Sequence, residues 1–381
     1  MRTPFVVSSL TYLALVGAIA CSSDGGDGGS GGGAQANACE GLGEVSFDPS
    51  TSCAGKCAPV NDDYCADNGV KGACLAGAID ACGVSLPLPP KEGNVTVLLT
   101  RSESVKEYGG KGAPDLSCFD ADSLPPPPDT AASKLVKLKG IVKIFSNGCE
   151  SKNLTIAVHK VIRSGGADDG MPGDLVGAAV TTPASCKDVG VPEENEKCGT
   201  RYECTYEYPN VPSETELMVV TNGEIWAPIY EYGLFIRNAE VKDGTFEKDV
   251  RALASDDYQL IPQVALGKTI TAGNGALAGE VHDCGDVRLV DAIVDIDQPK
   301  FSLSYFTDNE ENPLPNIDAH STSTLGLYSA LDVKPGPVNV AAAGVLDGKL
   351  VSLGYFRARV FPDAVTSFTF RGLRPFQVAS K

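Results

Sequence analysis

Beyond residue 130 apolar and polar residues alternate along most of the chain, with the period of a strand rather than a helix. Leu135 to Phe145 sets Leu135, Leu138, Ile141 and Ile144 among lysines, and Leu154 to Ile162 carries Ile156, Val158 and Val161 with polar residues between. Short segments of this kind recur, divided by Gly, Pro, Asn or Asp. The pattern predicts a mostly β fold of antiparallel strands in a sandwich or barrel. Asn94 to Thr100 also has strand composition. The clearest helix start is Ser255-Asp256-Asp257 ahead of Tyr258, Leu260 and Ile261, and Pro262 limits the predicted helix to a turn or two.

The order of features repeats. Gly140-Ile141-Val142, Cys149 and Leu154 to Val158 in residues 135–253 correspond to Gly279-Glu280-Val281, Cys284 and Leu289 to Val294 in residues 276–373. Tyr208-Pro209-Asn210-Val211-Pro212 leads into Leu217 to Val220, as Tyr328 through Pro335-Gly336-Pro337 leads into Val338 to Val340. Each half closes with a two-strand segment. A duplicated unit follows, and the expected architecture is two tandem antiparallel β-sandwich units, residues 131–270 and 271–381.

The front of the chain is built differently. Val6 to Ala20 is apolar, Arg2 precedes it, and Ala18-Ile19-Ala20 is a small-residue cleavage site followed by Cys21. Residues 22–36 hold Ser, Gly, Asp, Ala and Gln with nothing to nucleate a core, so residues 21–38 read as a flexible tether. From Cys39 to Cys82 six cysteines crowd among few large apolar residues, predicting a small disulfide-rich module over residues 39–90. Residues 91–130 end in four prolines, Pro125 to Pro128, and read as a connecting segment.

Composition narrows the function. A formal net charge of −18 repels nucleic acid and anionic headgroups alike. Thirteen cysteines less Cys21 leave an even set for disulfides in an oxidising compartment. The junction at Cys21 resembles a bacterial lipobox, with Ala18 at the position usually held by Leu. That resemblance implies cleavage after Ala20, lipid on Cys21, and a membrane partner through the anchor. Ser22 rather than Asp after Cys21 favours the outer membrane by resemblance to lipoprotein sorting.

The second unit carries Gly326-Leu327-Tyr328 and the turn Lys334-Pro335-Gly336-Pro337. This resembles the carboxypeptidase regulatory-like, transthyretin-like (Ig-like) β-sandwich. The first unit has neither the Gly-Tyr pair nor the Pro-Gly turn, and residues 37–130 fall outside the resemblance. It implies an accessory module without chemistry of its own; within it Gly326 and Gly336 are expected to adopt positive φ and Tyr328 to pack or cap the sandwich.

Few residues offer catalytic or metal-binding chemistry. His159 lies in an alternating strand, His282 sits beside Cys284, itself expected in a disulfide, and His320 lies in a polar loop near Asp308 and Glu310. No zinc-peptidase spacing surrounds any of them. Gly267-Lys268-Thr269 lacks the first glycine of a P-loop, and Gly28-Gly29-Ser30-Gly31-Gly32 lacks the strand and helix of a nucleophile elbow. Acidic runs Asp291 to Asp297 and Asp308 to Glu311 read as a solvated strand face and a loop, with surface calcium as the alternative. Trp226, Tyr230 and Tyr232 are the candidate recognition residues, since Trp and Tyr are enriched at binding hot spots. No metal or cofactor is expected. The sequence thus points to a non-catalytic structural role or to binding of an envelope protein or glycan. The alternatives are a calcium-dependent adhesion module and an envelope hydrolase with an unrecognised site.

Overall fold

The computed structural model describes residues 79–81, 84–119, 125–145, 148–186, 193–195, 197–298, 300, 302–310, 313–316, 318–372 and 374–377. The signal segment, Cys21, the tether and most of the cysteine-rich module lie outside the described residues. Within them the fold is mostly β, as the alternation predicts.

An N-terminal strand, β1 (Thr100–Arg101), precedes the first unit, whose strands are β2 (Leu135–Phe145), β3 (Thr155–Val161), β4 (Thr205–Pro212), β5 (Leu217–Asn222), β6 (Ile229–Leu234) and β7 (Val250–Leu253). A helix, α1 (Ser255–Leu266), leads to the second unit: β8 (Gly275–Glu280), β9 (Leu289–Val290), β10 (Ile293–Ile296), β11 (Ser302–Phe306), β12 (Leu327–Val333), β13 (Gly336–Leu346), β14 (Lys349–Val360) and β15 (Val365–Ser367). The pairing scheme recurs strand for strand. In the first unit β2 pairs antiparallel with β4 and parallel with β7, while β3, β5 and β6 form an antiparallel trio. In the second, β8 pairs antiparallel with β12 and parallel with β15, while β10, β13 and β14 form the trio. Each sandwich is therefore antiparallel except along its first strand, which runs parallel to β7 and the preceding Thr245–Glu247 in the first unit and to β15 in the second.

One device marks this correspondence. Tyr206 lies opposite Gly140 and its hydroxyl donates to the Lys248 carbonyl at 2.6 Å. Tyr328 lies opposite Gly279 and donates to the Phe368 carbonyl at 2.8 Å. In both places the glycine lets the parallel neighbour approach: a Cβ at Gly140 would stand 2.1 Å from the Lys248 oxygen, and one at Gly279 1.6 Å from the Phe368 oxygen. The counterpart of Tyr328 is thus Tyr206 and not Tyr208. Tyr208 bonds elsewhere, donating to the Val176 carbonyl. Gly326 and Gly336 have φ of 61° and 144°, the left-handed region their places require.

The two units share a sheet. β15 pairs in parallel with β6 of the first unit on one side and β8 of the second on the other, joining both into one ten-stranded sheet. Against it the first unit packs β2 and β4, enclosing Val142, Ile156, Val158, Leu217, Val219 and Trp226. The second packs the β10–β13–β14 sheet, and that core also takes Met218, Val220 and Tyr232 from the other face of β5 and β6. Burial of this kind contributes roughly 25 cal/mol per Å² of apolar surface.

Helix α1 starts where predicted but runs twelve residues, through Pro262, to a left-handed Gly267 at φ 69°. The proline removes one backbone donor. Tyr258 and Pro262 are nonetheless buried, and Tyr258, Ile261 and Leu266 pack with Ile229, Ala276 and Leu331, so tertiary packing offsets the break. The segment expected as a connector differs more. Residues 99–118 lie on the second unit: β1 pairs with β9, Leu99 joins the second core, and Cys118 is bonded to Cys284. Cys149–Cys198 and Cys186–Cys204 staple the long excursion between β3 and β4.

Candidate functional site: an ionic junction

Charged side chains meet where the N-terminal segment, the first unit and the second unit touch. β8 supplies Glu280 and the turn after it supplies His282 and Asp286. His282 is fully buried, its Nε2 2.7 Å from Glu280 Oε2 and its Nδ1 2.7 Å from Asp286 Oδ1. Only a ring protonated on both nitrogens donates to both carboxylates. Arg288 donates to the other Glu280 oxygen at 3.1 Å, and Arg371 lies 3.0 Å from Asp286. From the first unit, Arg251 approaches Glu280 at 3.7 Å and Glu107 at 3.4 Å, while Lys143 bridges Glu107 at 2.7 Å and Asp249 at 3.0 Å.

Tyr108 sits in the middle. The guanidinium carbons of Arg288 and Arg371 lie 5.6 and 5.1 Å from its ring centre, and the His282 ring lies 4.9 Å away. Its backbone is left-handed, φ 57°, a conformation that costs a side chain of this bulk about 1–2 kcal/mol. The Arg288 N–H donating to the Tyr108 carbonyl at 2.9 Å holds that turn in place.

Burial alone would push the Glu280 carboxyl up. The hydrogen bond from His282 and the charges of His282, Arg288 and Arg251 outweigh it and hold Glu280 well below the usual range. For Asp286, too, burial is opposed and outweighed by His282 and Arg371, and its carboxyl is lowered. Burial works against the charged forms of Glu107 and Lys143, but their mutual bond and their other partners lower the acid and raise the base. The carboxylates of Glu280, Asp286 and Glu107 and the ammonium of Lys143 are thereby favoured in their charged forms. Mutually compensating charges of this kind hold segments in register and leave His282 with no accessible face for a substrate.

The aromatic trio expected to recognise a partner does not form an exposed platform. Trp226 is 2% exposed and donates from Nε1 to the Lys152 carbonyl at 2.7 Å, because the first core closes over it. Tyr232 is 3% exposed, and its hydroxyl donates to the Gly170 carbonyl. Tyr230 is half-buried and stacked on Phe361 with ring centres 3.7 Å apart. The cause is simple: Tyr230 and Tyr232 lie on β6 and Trp226 on the loop leading into it, and each is covered by the layer packed against it. Iodide is expected to leave the fluorescence of Trp226, the single tryptophan, almost unquenched in the native protein; efficient quenching would contradict this placement.

His159 is half-buried, with Nδ1 3.0 Å from the Gly173 carbonyl. His320 is exposed at the rim of a cavity of about 300 Å³ lined by Pro87, Leu88, Pro90, Leu303, Tyr305 and Ala319. The carboxylates expected near it are engaged: Asp308 accepts from Thr324, and Glu310 from the Lys106 and Glu107 amides. Asp291 accepts from Ser321, Asp295 pairs with Lys300, and Asp297 accepts from Asn339. Among the described residues no three His, Cys, Asp or Glu side chains gather to hold a metal ion, and no helix is long and apolar enough to cross a membrane. The residues that sequence reasoning missed are Glu107, Tyr108, Arg251, Glu280, Arg288 and Arg371. Their only sequence signal is a charged residue such as Glu280 in an otherwise apolar strand.

No family model matches the chain, and no curated protein matches it. Among solved structures, the shaft pilin spaA from Lactobacillus rhamnosus GG is 9% identical over 61% of this chain and 96% of that one, with a TM-score of 0.17. The Streptococcal ancillary pilin is 11% identical over 63% of each chain, TM-score 0.16. The major pilin from Streptococcus pyogenes is 9% identical over 62% of this chain and 99% of that one, TM-score 0.16. Likenesses this weak carry no argument here.

Proposed function

We propose that the chain is an envelope lipoprotein, anchored through Cys21 in the outer membrane, with a non-catalytic structural or binding role toward envelope proteins or glycans. The observation that carries the non-catalytic part is the ionic junction. The richest cluster of titratable groups among the described residues is committed to fastening three parts of the chain together, with its histidine out of reach of solvent. The anchor rests on the apolar run ending at Cys21 and on the acidic, cysteine-rich chain behind it. Changing Cys21 to Ser is expected to move the protein from the membrane to the soluble fraction and to abolish labelling by a palmitate analogue. Unchanged fractionation would remove the anchor.

A further inference from the structure

The chain enters and leaves its described body on the second unit. On the way in, Leu99 fills space over Gly344, where an added Cβ would lie 2.5 Å from the leucine Cδ2, and its N–H donates to the Val345 carbonyl at 2.8 Å. β1 pairs with β9, Arg101 Nε meets Asp283 Oδ2 at 2.5 Å, and Cys118 is bonded to Cys284 across a sequence separation of 166. On the way out, β15 lies against β8. The whole first unit falls between the two bridged cysteines.

We infer that the fold carries tension through the second unit and shunts it around the first. When the two ends are pulled apart, the covalent line of force crosses from Cys118 to Cys284, and residues 119–283 hang on a closed side loop that extension does not lengthen. The pairing of β6 with β15 and the Arg163 bond to the Arg357 carbonyl, 2.8 Å long, can break under load without the first unit being drawn out. That unit then keeps its shape while its neighbour bears the strain. What applies the load in the cell rests on the anchored reading above; the path of the force does not.

Stretching single full-length molecules held by the N-terminal tether and Lys381 tests this. With disulfides intact, the released length is expected to omit the bypassed loop. The C118S/C284S double variant should release about 40 nm more, at about 3.5 Å per residue, since Cys149–Cys198 still spans 49 residues of the freed loop. Equal lengths from the two proteins would overturn the proposal. A second measurement keeps every native cysteine: a protease site placed in the exposed Asp243-Gly244 turn is cut while the molecule is held under tension. The tether is expected to survive the cut, and its loss overturns the proposal. Neither measurement depends on lipid at Cys21, so this inference and the anchor fail separately.

Discussion

Replacing Gly279 by alanine is expected to cost about 4 kcal/mol of stability, read as a fall in thermal midpoint of about 6 °C. The new methyl carbon would stand 1.6 Å from the Phe368 oxygen and 2.8 Å from the Tyr328 hydroxyl. The flanking strand has to retreat by more than an ångström. Retreat breaks the β8–β15 register, the Tyr328 bond and the stacking of Phe368 on Phe356, whose ring centres are 3.8 Å apart. Gly140→Ala faces the Lys248 oxygen at 2.1 Å and should be the next most damaging. Gly273→Ala is the control: it meets nothing within 4 Å and bears only the strain of φ 84°, about 1 kcal/mol. Thermal melts of the three variants would settle the order, and a Gly279→Ala protein melting with wild type would refute the close strand approach.

Removing His282 is the second large effect. His282→Ala leaves the largely buried Glu280 without its donor and takes a donor from the half-exposed Asp286, and about 3 kcal/mol is expected to be lost even though Arg288 and Arg371 remain. The pH dependence carries a definite sign. Glu280 and Asp286 have folded-state values below their ordinary 4.5 and 3.8, so the folded form binds fewer protons than the unfolded one through the acid range. Their contribution is complete above about pH 5 and is lost as pH falls through the lowered folded values. Denaturant melts from pH 7 down to pH 3 should show the wild type losing stability faster than His282→Ala, the two curves converging in acid. Parallel curves would mean that His282 does not hold these carboxylates.

The strand content was legible because alternation reports one buried face, and the repeat because turn glycines, cysteines and prolines recur in order. Cys284 was rightly read as a disulfide partner. The bond from Tyr328 to the Phe368 carbonyl was not legible, since Phe368 lies 40 positions later and Gly279, which makes room for it, 49 positions earlier, and only cross-strand register brings them together. Nor was the docking of residues 99–118, because β1 and β9 are two residues long and carry no periodicity. The aromatic trio misled for the opposite reason: Trp226 and Tyr232 have the composition of a recognition surface, and only the second layer above them decides that they are core. The junction escaped notice because its charges come from residues 107, 143, 249–251, 280–288 and 371, and segments so far apart in the chain have no common local pattern.

The shared strand sets a timetable for the newly made chain. The edge of Ile229–Leu234 has its partner only in Val365–Ser367, more than a hundred residues later. Until Val365–Ser367 emerges, the first sandwich presents an open row of backbone donors and acceptors, the kind of edge on which chains join to one another. Arrival of Val365–Ser367 is therefore the step that closes both halves at once, and a chain cut short before residue 365 would expose that row in a half that had otherwise finished folding.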